Sequence, residues 1–252
     1  MKIRIVVSAH KPYWMPDDGV YLPLQVGSAG KETIPGFRRD DEGEHISDKN
    51  TSYCEMTGLY WAWKHLDADY IGLAHYRRHF AKPFAFGKKH RVAGAKTFES
   101  VFANTDVLLP KKRRYVLETN YSHYVHAHNE QDLLLTKQIV FERCPAYLPD
   151  WEVTMRKRSG HRFNMFVMKR ELFVQYCSWV FGILFELERR LDVSAYTGLN
   201  ARVFGLVSER LLDVWVTHNA ISYAELPVVH LESQHWPEKI MRFLERKFQR
   251  TR

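Results

Sequence analysis

Short apolar runs alternate with longer amphipathic stretches along this chain of 252 residues. The first run, residues 2–8, is rich in β-branched side chains and stops before Pro12, which cannot donate a ladder hydrogen bond. Similar runs cover residues 70–74, 106–109 and 162–168, and each has the length of a buried strand. Strands separated by helical stretches predict an α/β fold whose central sheet is mostly parallel and is flanked by helices.

Four longer stretches are predicted to form helices. In the first, residues 53–65, apolar residues recur three or four positions apart, and we interpret Ser52 and Glu55 as a capping box at its start. The last begins at Ser208, so that Glu209 falls in its first turn, where the helix dipole favours a carboxylate. The other two predicted helices span residues 130–144 and 170–191.

A charged and aromatic cluster follows the strand at residues 70–74 without a break. Its residues are His75, Tyr76, Arg77 and Arg78, followed by another histidine and a phenylalanine. Polar side chains at the carboxyl end of a buried strand commonly form a site. Arginine offers forked donors that match phosphate oxygens, so two adjacent arginines indicate an anionic ligand, most simply a diphosphate. A solvated turn with His75 and Tyr76 in the core is the alternative.

Other candidate residues are scattered along the chain. His10 and Lys11 follow the first strand and could touch a nucleotide, although an ordinary exposed loop explains them equally well. Asp40 lies in a charged loop and could meet a sugar hydroxyl, but a solvated turn is the simpler interpretation. Asn164 interrupts an apolar strand, and its amide needs partners, which sugar hydroxyls or a backbone edge would supply.

Charge and cysteine content narrow the range of possible partners and cellular compartments. The net charge of +8 favours an anionic partner, which could be nucleic acid, a membrane face or a phosphorylated substrate. The three cysteines are widely spaced and form no Cys-x-x-Cys pair, which fits a reducing cytoplasm. Three neighbouring histidines, at positions 123, 126 and 128, have no zinc-site spacing, so no metal site is predicted there.

Two basic segments could meet an anionic surface. Residues 111–114 read Lys-Lys-Arg-Arg, which indicates a solvated turn or a contact with a membrane or an anionic acceptor. Residues 237–252 have the pattern of a basic amphipathic helix, suited either to a membrane surface or to packing on the domain. We therefore predict one domain over residues 1–230 and an appended helix within residues 231–252.

Five motifs along the chain are Tyr53-Cys54-Glu55, Trp61-Ala62-Trp63-Lys64, His75-Tyr76-Arg77-Arg78, Asn164-Met165-Phe166 and Glu209-Arg210-Leu211-Leu212. They resemble the motifs of one bacterial family. The similarity extends from His10 to about Trp215, and the family is the galactofuranosyltransferase-like one of capsule, O-antigen and exopolysaccharide clusters, long catalogued as a domain of unknown function. The chain departs from the family pattern at residues 43–47, where Gly-Glu-His-Ile-Ser replaces Gly-Asp-Asn-Ile-Ser, and at Ala74, where cysteine is frequent.

The resemblance implies a GT-A-like nucleotide-diphospho-sugar transferase fold and an inverting transfer from a UDP-sugar, UDP-galactofuranose in the characterised case. The acceptor would be a growing cell-surface polysaccharide. Ordinary GT-A enzymes carry an Asp-x-Asp metal motif where this chain has Arg77 and Arg78. We expect these arginines to neutralise the leaving diphosphate without a cofactor, with Mn²⁺ or Mg²⁺ as the alternative. Glu209 is the expected base, and Asp40 and Asp213 are weaker candidates.

The expected contacts and partners follow from the same resemblance. We expect a UDP-sugar, a glycan or lipid-linked oligosaccharide acceptor and an anionic membrane surface as partners, without nucleic acid, in the cytoplasm or on the inner membrane face. The alternatives are a transferase for another nucleotide sugar, a nucleic-acid-binding module and an inactive scaffold. The expected donor contacts are His10, Lys11, His75, Tyr76, Arg77, Arg78 and Asn164. The expected acceptor or sugar contacts are Asn164, Met165, Asp40 and Arg210.

Overall fold

The structure is a computed structural model that describes residues 1–83 and 85–232. The predicted tail helix over residues 237–252 lies outside the described residues. The strands are β1 (Ile3–Ala9), β2 (Tyr21–Gln25), β3 (Arg38–Arg39), β4 (Tyr70–His75), β5 (Arg78–Phe80), β6 (Val107–Pro110), β7 (Arg113–Arg114), β8 (Ser159–Gly160), β9 (Phe166–Lys169), β10 (Ala224–Leu226) and β11 (Val228–His230). The α-helices are α1 (Asn50–Tyr53), α2 (Met56–His65), α3 (Ala95–Phe102), α4 (Asn120–Val125), α5 (Glu130–Arg143), α6 (Leu148–Arg156), α7 (Arg170–Arg190) and α8 (Val203–His218).

The central sheet confirms the predicted α/β fold. Seven of its strands follow the order β10-β6-β9-β4-β1-β2-β3, and β5 and β11 extend it as an antiparallel ribbon from the end of β4. Among these seven, β9 alone runs against the others, because it pairs antiparallel with both β4 and β6. The sheet is therefore mostly parallel, as the sequence predicted.

Apolar clusters cover both faces of this sheet. The larger cluster combines side chains of α2, α5, α7 and α8 with one face of the central strands, and the smaller one includes α3 and β5 on the other face. β1 and β4 are buried on both faces, which explains why their sequences are almost continuously apolar. At Gly72 of β4, a Cβ atom would lie 2.5 Å from the carbonyl oxygen of Phe166, so this close strand contact requires glycine.

Most predicted helices are confirmed, but two begin differently. α5 and α7 end within one residue of their predicted bounds. The helix predicted over residues 53–65 is broken at Cys54, and the capping box is wrong, because the Ser52 hydroxyl donates to the carbonyl of Lys49 instead. α8 starts at Val203, before the predicted Ser208, so Glu209 lies inside the helix and not in its first turn.

The strand predicted over residues 162–168 is also only half formed. β9 begins at Phe166, and the preceding Phe163 and Asn164 have positive φ angles of 76° and 51°, which belong to a turn. The helices of the described chain include none that could cross a membrane; even α7, with 21 residues, is not apolar enough.

Candidate active site

Chain segments that carry predicted site residues meet at one edge of the sheet. β1 and β4 are parallel and in register, with Ser8 opposite His75, so that His10 and Tyr76 follow at the same edge. β9 runs antiparallel to β4, and therefore the residues before it, including Asn164, reach this edge as well. The carboxyl edge of parallel strands is the usual ligand site of α/β proteins.

Four charged side chains interact electrostatically at this edge, and we call Glu55, Arg78, Arg202 and Glu209 the arginine–glutamate cluster. Burial lowers the pKa of Arg78, as does neighbouring Arg77, while the two glutamates oppose that shift. The pKa of Arg202 is raised, because the carboxylates and a neighbouring thiol outweigh the effect of burial. Each arginine is therefore within electrostatic range of both glutamates, although Glu55, Arg78 and the segment that carries Arg202 and Glu209 are far apart in the sequence.

Arg78 is the least satisfied member of the cluster. Its Nε atom is buried and has no hydrogen-bond partner within the described part of the chain. The guanidinium lies 4.4 Å from the ring centroid of Phe163, over the face of that ring. A buried guanidinium nitrogen without a hydrogen-bond partner is costly, so its presence at a sheet edge favours an anionic ligand that supplies the acceptor.

The two adjacent arginines predicted as one clamp have different surroundings. Arg77 Nη1 lies 3.2 Å from Glu232 Oε2, and its guanidinium is 5.1 Å from the Tyr76 ring centroid. The second arginine of the cluster is instead Arg202, whose Nε donates to Cys54 Sγ at 3.0 Å. The sequence analysis missed Arg202, because the turn before α8 that brings it to the cluster depends on tertiary packing.

Glu209 is held by two donors and remains partly accessible. Its Oε1 accepts from the backbone N–H of Phe163 and its Oε2 from Arg210 Nη1, both at 3.1 Å. The side chain is 18% exposed. Glu209 thus lies in the cluster, but its position comes from the middle of α8 and from the turn at Phe163, and not from the helix start that the sequence predicted.

Glu55 is a second carboxylate that the sequence analysis did not select. Its side chain is 9% exposed, and its Oε1 accepts from Asn164 Nδ2 at 2.7 Å and lies 3.9 Å from His75 Nε2. The sequence does contain a signal that Glu55 belongs to the site, because Glu55 is part of the Tyr-Cys-Glu motif. Because Glu55 was interpreted as part of a capping box, its contact with the distant Asn164 was not predicted.

Asn164 holds this carboxylate against α8. Its Nδ2 also donates to the carbonyl of Gly205 at 3.0 Å, and its Oδ1 accepts from the Ser208 hydroxyl at 3.1 Å. The side chain is 1% exposed and its polar atoms are engaged within the protein. This arrangement supports a positioning role for Asn164 and does not support the predicted contact with sugar hydroxyls.

The backbone is strained where these side chains meet. Of the four non-glycine residues with positive φ in the described chain, three surround the cluster: Cys54, Phe163 and Asn164. Such conformations cost about 1–3 kcal/mol each and persist where the surrounding structure enforces them, commonly at functional sites. The strain at Cys54 turns Glu55 toward Asn164, and the strain at Phe163 directs its N–H to Glu209.

His75 supports the same turn from the end of β4. Its Nε2 lies 2.5 Å from the carbonyl oxygen of Phe163. Because a carbonyl oxygen can only accept, we assign the proton of this hydrogen bond to Nε2. Burial lowers the pKa of His75, and neighbouring Glu55 only partly opposes this shift. Neutral His75 therefore fixes the turn by donating this hydrogen bond. Its predicted contact with the nucleotide-sugar substrate stays a prediction.

An aromatic group adjoins the cluster on the β1 side. The ring of Tyr76 has edge contacts with the rings of His10 and Tyr13, at centroid distances of 5.3 and 4.9 Å. Lys11 Nζ lies 5.6 Å from the same ring centroid. Burial lowers the pKa of His10, and Lys11 and Arg77 add to this shift. The predicted donor contacts His10, Lys11 and Tyr76 are thus together, and Tyr13 was missed.

Other predicted contacts lie inside the protein. Met165 is fully buried in the smaller apolar cluster, so its side chain offers no surface to a sugar. Arg210 is 3% exposed and packs 4.9 Å from the ring centroid of Tyr124, where it supports Glu209. These placements contradict the predicted roles of Met165 and Arg210 as acceptor contacts.

The weaker candidates for the base also have structural partners. Asp40 is fully buried and accepts hydrogen bonds from two backbone amides and three hydroxyl groups. Asp213 lies 2.5 Å from His161 Nδ1 and accepts from the His161 backbone N–H at 3.0 Å. With their oxygens engaged in this way, neither carboxylate is available to an acceptor hydroxyl.

Comparison with known proteins agrees with this architecture. Residues 4–220 match the family model described as a domain of unknown function, DUF4422. The chain belongs to the DUF4422 family. Among solved structures it is similar to the bifunctional glycosyltransferase WbbM in its apo structure, with a TM-score of 0.86 and 30% identity over 92% of this chain and 46% of that one. The search of curated proteins found no match.

These findings confirm the family assignment made from the sequence motifs, and they confirm the fold. The DUF4422 match covers the motifs around Glu55, Arg78, Asn164 and Glu209, which the structure brings together in one cluster. The chain spans less than half the length of WbbM.

The DUF4422 site does not have the donor set of a metal-dependent GT-A centre. No group of three metal-binding side chains occurs within residues 1–83 and 85–232. Glu55 and Glu209 are each engaged by protein donors and lie within electrostatic range of Arg78 and Arg202, whose charge opposes a divalent cation. The residues at the end of β4 therefore do not fit a metal ion.

Proposed function

We propose that this protein is a glycosyltransferase that moves a sugar from a UDP-sugar to a hydroxyl group of a growing cell-surface polysaccharide. The structural similarity to WbbM over most of the chain supports this class of reaction. The observation that carries the proposal is the buried Nε of Arg78, which has no hydrogen-bond partner among the described residues, at the carboxyl edge of the sheet and within electrostatic range of Arg202. A diphosphate supplies the charge and the acceptor oxygens that this pair lacks.

In the proposed mechanism, Arg78 and Arg202 bind the diphosphate of the donor. As the bond between the anomeric carbon and the phosphate oxygen breaks, its electron pair passes to the leaving UDP. The guanidinium groups stabilise this growing charge most effectively where water is excluded, and burial of Arg78 supports such a role. Arg77 is a weaker contributor, because it already has Glu232 as an ion-pair partner.

Glu209 is the proposed base of the reaction. The acceptor hydroxyl forms the new bond to the anomeric carbon on the face opposite the leaving group, and its proton passes to the Glu209 carboxylate. Glu209 is more accessible than Glu55, with 18% against 9% side-chain exposure, and Glu55 is bonded to Asn164. We propose that Glu55 instead balances the charge of Arg78 and Arg202.

The finer assignments rest on the family resemblance. UDP-galactofuranose is the proposed donor, the product linkage is β because the mechanism inverts, and no metal ion takes part. We propose that the protein acts in the cytoplasm or on the inner face of the membrane, because its three widely spaced cysteines fit a reducing compartment.

Product analysis tests this proposal directly. The full chain is incubated with a panel of UDP-sugars and lipid-linked or free glycan acceptors, with EDTA or with Mn²⁺, and products are measured by mass spectrometry. We expect the wild-type protein to transfer the sugar, and EDTA should not reduce the rate. The Arg78→Lys variant should be slower by at least about 100-fold, because lysine lacks the forked donors. Absence of transfer with every donor, or full activity of Arg78→Lys, would contradict the proposal.

A further inference from the structure

A second basic region lies outside the arginine–glutamate cluster. β7 and β8 pair as a two-stranded antiparallel sheet that is separate from the central one. This pairing brings together two basic runs that are distant in the sequence, residues 111–114 and 156–158. We call residues 111–117 together with residues 156–160 the basic ribbon.

The basic ribbon concentrates positive charge, most of which has no ion-pair partner within the described residues. All seven of its lysine and arginine residues are exposed. Among them, within the described residues, only Arg156 has an ion pair, with Glu152 at 3.4 Å. Successive side chains of a strand point to opposite faces, so the exposure of both Arg113 and Arg114 means that both faces of the ribbon are open.

Two exposed aliphatic residues adjoin these charges. Val116 is 85% and Leu117 is 63% exposed. The preceding Tyr115 is buried, and its hydroxyl accepts from Arg162 Nε at 2.7 Å while its ring stacks on His123 at a centroid distance of 4.2 Å. The contacts of buried Tyr115 therefore hold the segment that carries Val116 and Leu117 at the surface.

We propose that the basic ribbon docks this protein on an anionic lipid bilayer, with its cations against the headgroups and Val116 and Leu117 in the interface. Exposed cations alone would equally suit a soluble polyanion. The adjacent aliphatic pair distinguishes the two partners, because a bilayer interface buries apolar side chains and a hydrated polyanion does not.

The position of the ribbon links docking to the candidate active site. β7 follows β6 at the carboxyl edge of the sheet, and β8 leads through Arg162 into the turn at Phe163, whose N–H donates to Glu209. Docking would thus bring the arginine–glutamate cluster close to the membrane surface, where a lipid-linked acceptor is found. Vesicle binding needs no substrate, so its outcome is independent of the proposed transferase activity.

Vesicle co-sedimentation of the full chain tests the docking proposal. The vesicles contain phosphatidylcholine alone or equal parts of phosphatidylcholine and phosphatidylglycerol. The ribbon variant is R113Q/R114Q/R158Q, and the matched control K2Q/R38Q/K96Q removes the same charge from exposed positions elsewhere. A third variant, V116S/L117S, removes the apolar pair without changing charge. Residues 233–252 are present in every variant, and unchanged thermal unfolding confirms folding.

We expect the wild-type protein and the matched control to bind anionic vesicles and not neutral ones. The ribbon variant should bind at least about tenfold more weakly, and V116S/L117S should also lose affinity. Wild-type affinity in the ribbon variant would overturn the proposal. It would also be overturned if V116S/L117S bound normally and a single-stranded oligonucleotide competed fully with the vesicles, since the partner would then be a soluble polyanion.

Discussion

Two carboxylate-centred groups lie at the same edge of the sheet, and their donors differ. Asp40 accepts from the backbone amides of Gly27 and Ser28 and from the hydroxyls of Ser28, Ser47 and Thr57. All of these donors are neutral and belong to the protein, so the buried charge of Asp40 is satisfied. We call this set of residues the Asp40 group.

The arginine–glutamate cluster has the opposite character. Arg78 has a buried Nε with no hydrogen-bond partner in the described part of the chain, and its guanidinium lies over the ring of Phe163. Hydrogen bonds to charged groups contribute about 1.5–3 kcal/mol, so unused charged donors are a strong indication of a missing acceptor. Asp40 therefore stabilises the fold, whereas Glu55 and Glu209 lie near arginines that can bind an anionic ligand.

The largest expected effect is on catalysis, from Glu209→Gln. Glutamine keeps the shape of the side chain but cannot take a proton, so turnover should fall by about 10²–10⁴-fold. UDP should still protect the variant from thermal unfolding, because the proposed diphosphate contacts are unchanged. Activity is measured as product formation under saturating donor. Retained turnover would remove Glu209 from the proposed role and leave Glu55 to be tested next.

Asp40→Asn should act on stability and not on chemistry. The amide places an N–H₂ group where the carboxylate accepted hydrogen bonds, so we expect a loss of about 2–4 kcal/mol in the free energy of unfolding. Denaturant titration measures this loss. Asp67→Asn is the matched control, because Asp67 pairs with Arg170 and its side chain is 79% exposed, and it should cost less than about 1 kcal/mol. Equal losses in the two variants would contradict the distinction drawn for Asp40.

A pair of substitutions at Asn164 separates its hydrogen bonds from its backbone conformation. Both Asn164→Ala and Asn164→Gly remove the bonds to Glu55 and Gly205. Alanine adds the cost of a left-handed backbone, so it should destabilise the protein by about 1 kcal/mol more than glycine does. Both variants should also lower kcat by freeing Glu55. Equal stability of the two would show that the strained φ contributes nothing.

The smallest expected effect is a pH dependence from His75. Burial lowers its pKa in the folded protein, so the unfolded chain binds the proton first as the pH falls below about 6.5. Stability should therefore decrease between pH 6.5 and the lower pKa of the folded state. His75→Asn should flatten this slope, while Asp40→Asn should not, when both are followed by denaturant titration across this range. An unchanged slope in His75→Asn would contradict a neutral, buried His75.

The sequence was informative where local pattern determines structure. The buried strands at Ile3–Ala9 and Tyr70–His75 are continuous apolar runs, and α7 extends over almost its whole predicted length. The fold class follows from such elements because their apolar faces must be covered. The motifs also located Arg78 and Glu209 in the same site.

The errors arose where tertiary contacts override local preference. Ser52 and Glu55 have the spacing of a capping box, but Asn164, more than a hundred residues away, binds the Glu55 carboxylate. Asn164 itself looked like part of a strand, although its positive φ makes it part of a turn. Arg202 had no local signal, because only the packing of α8 brings it close to Glu55.

The central claim is that Arg78 and Arg202 bind a diphosphate, and calorimetric titration with UDP and with uridine tests it most directly. The wild-type protein should bind UDP at least about 100-fold more tightly than uridine, since two guanidinium groups contact the phosphates. In R78Q/R202Q this preference should fall below about tenfold, while R77Q should reduce it much less. An undiminished preference for UDP in R78Q/R202Q would contradict the account.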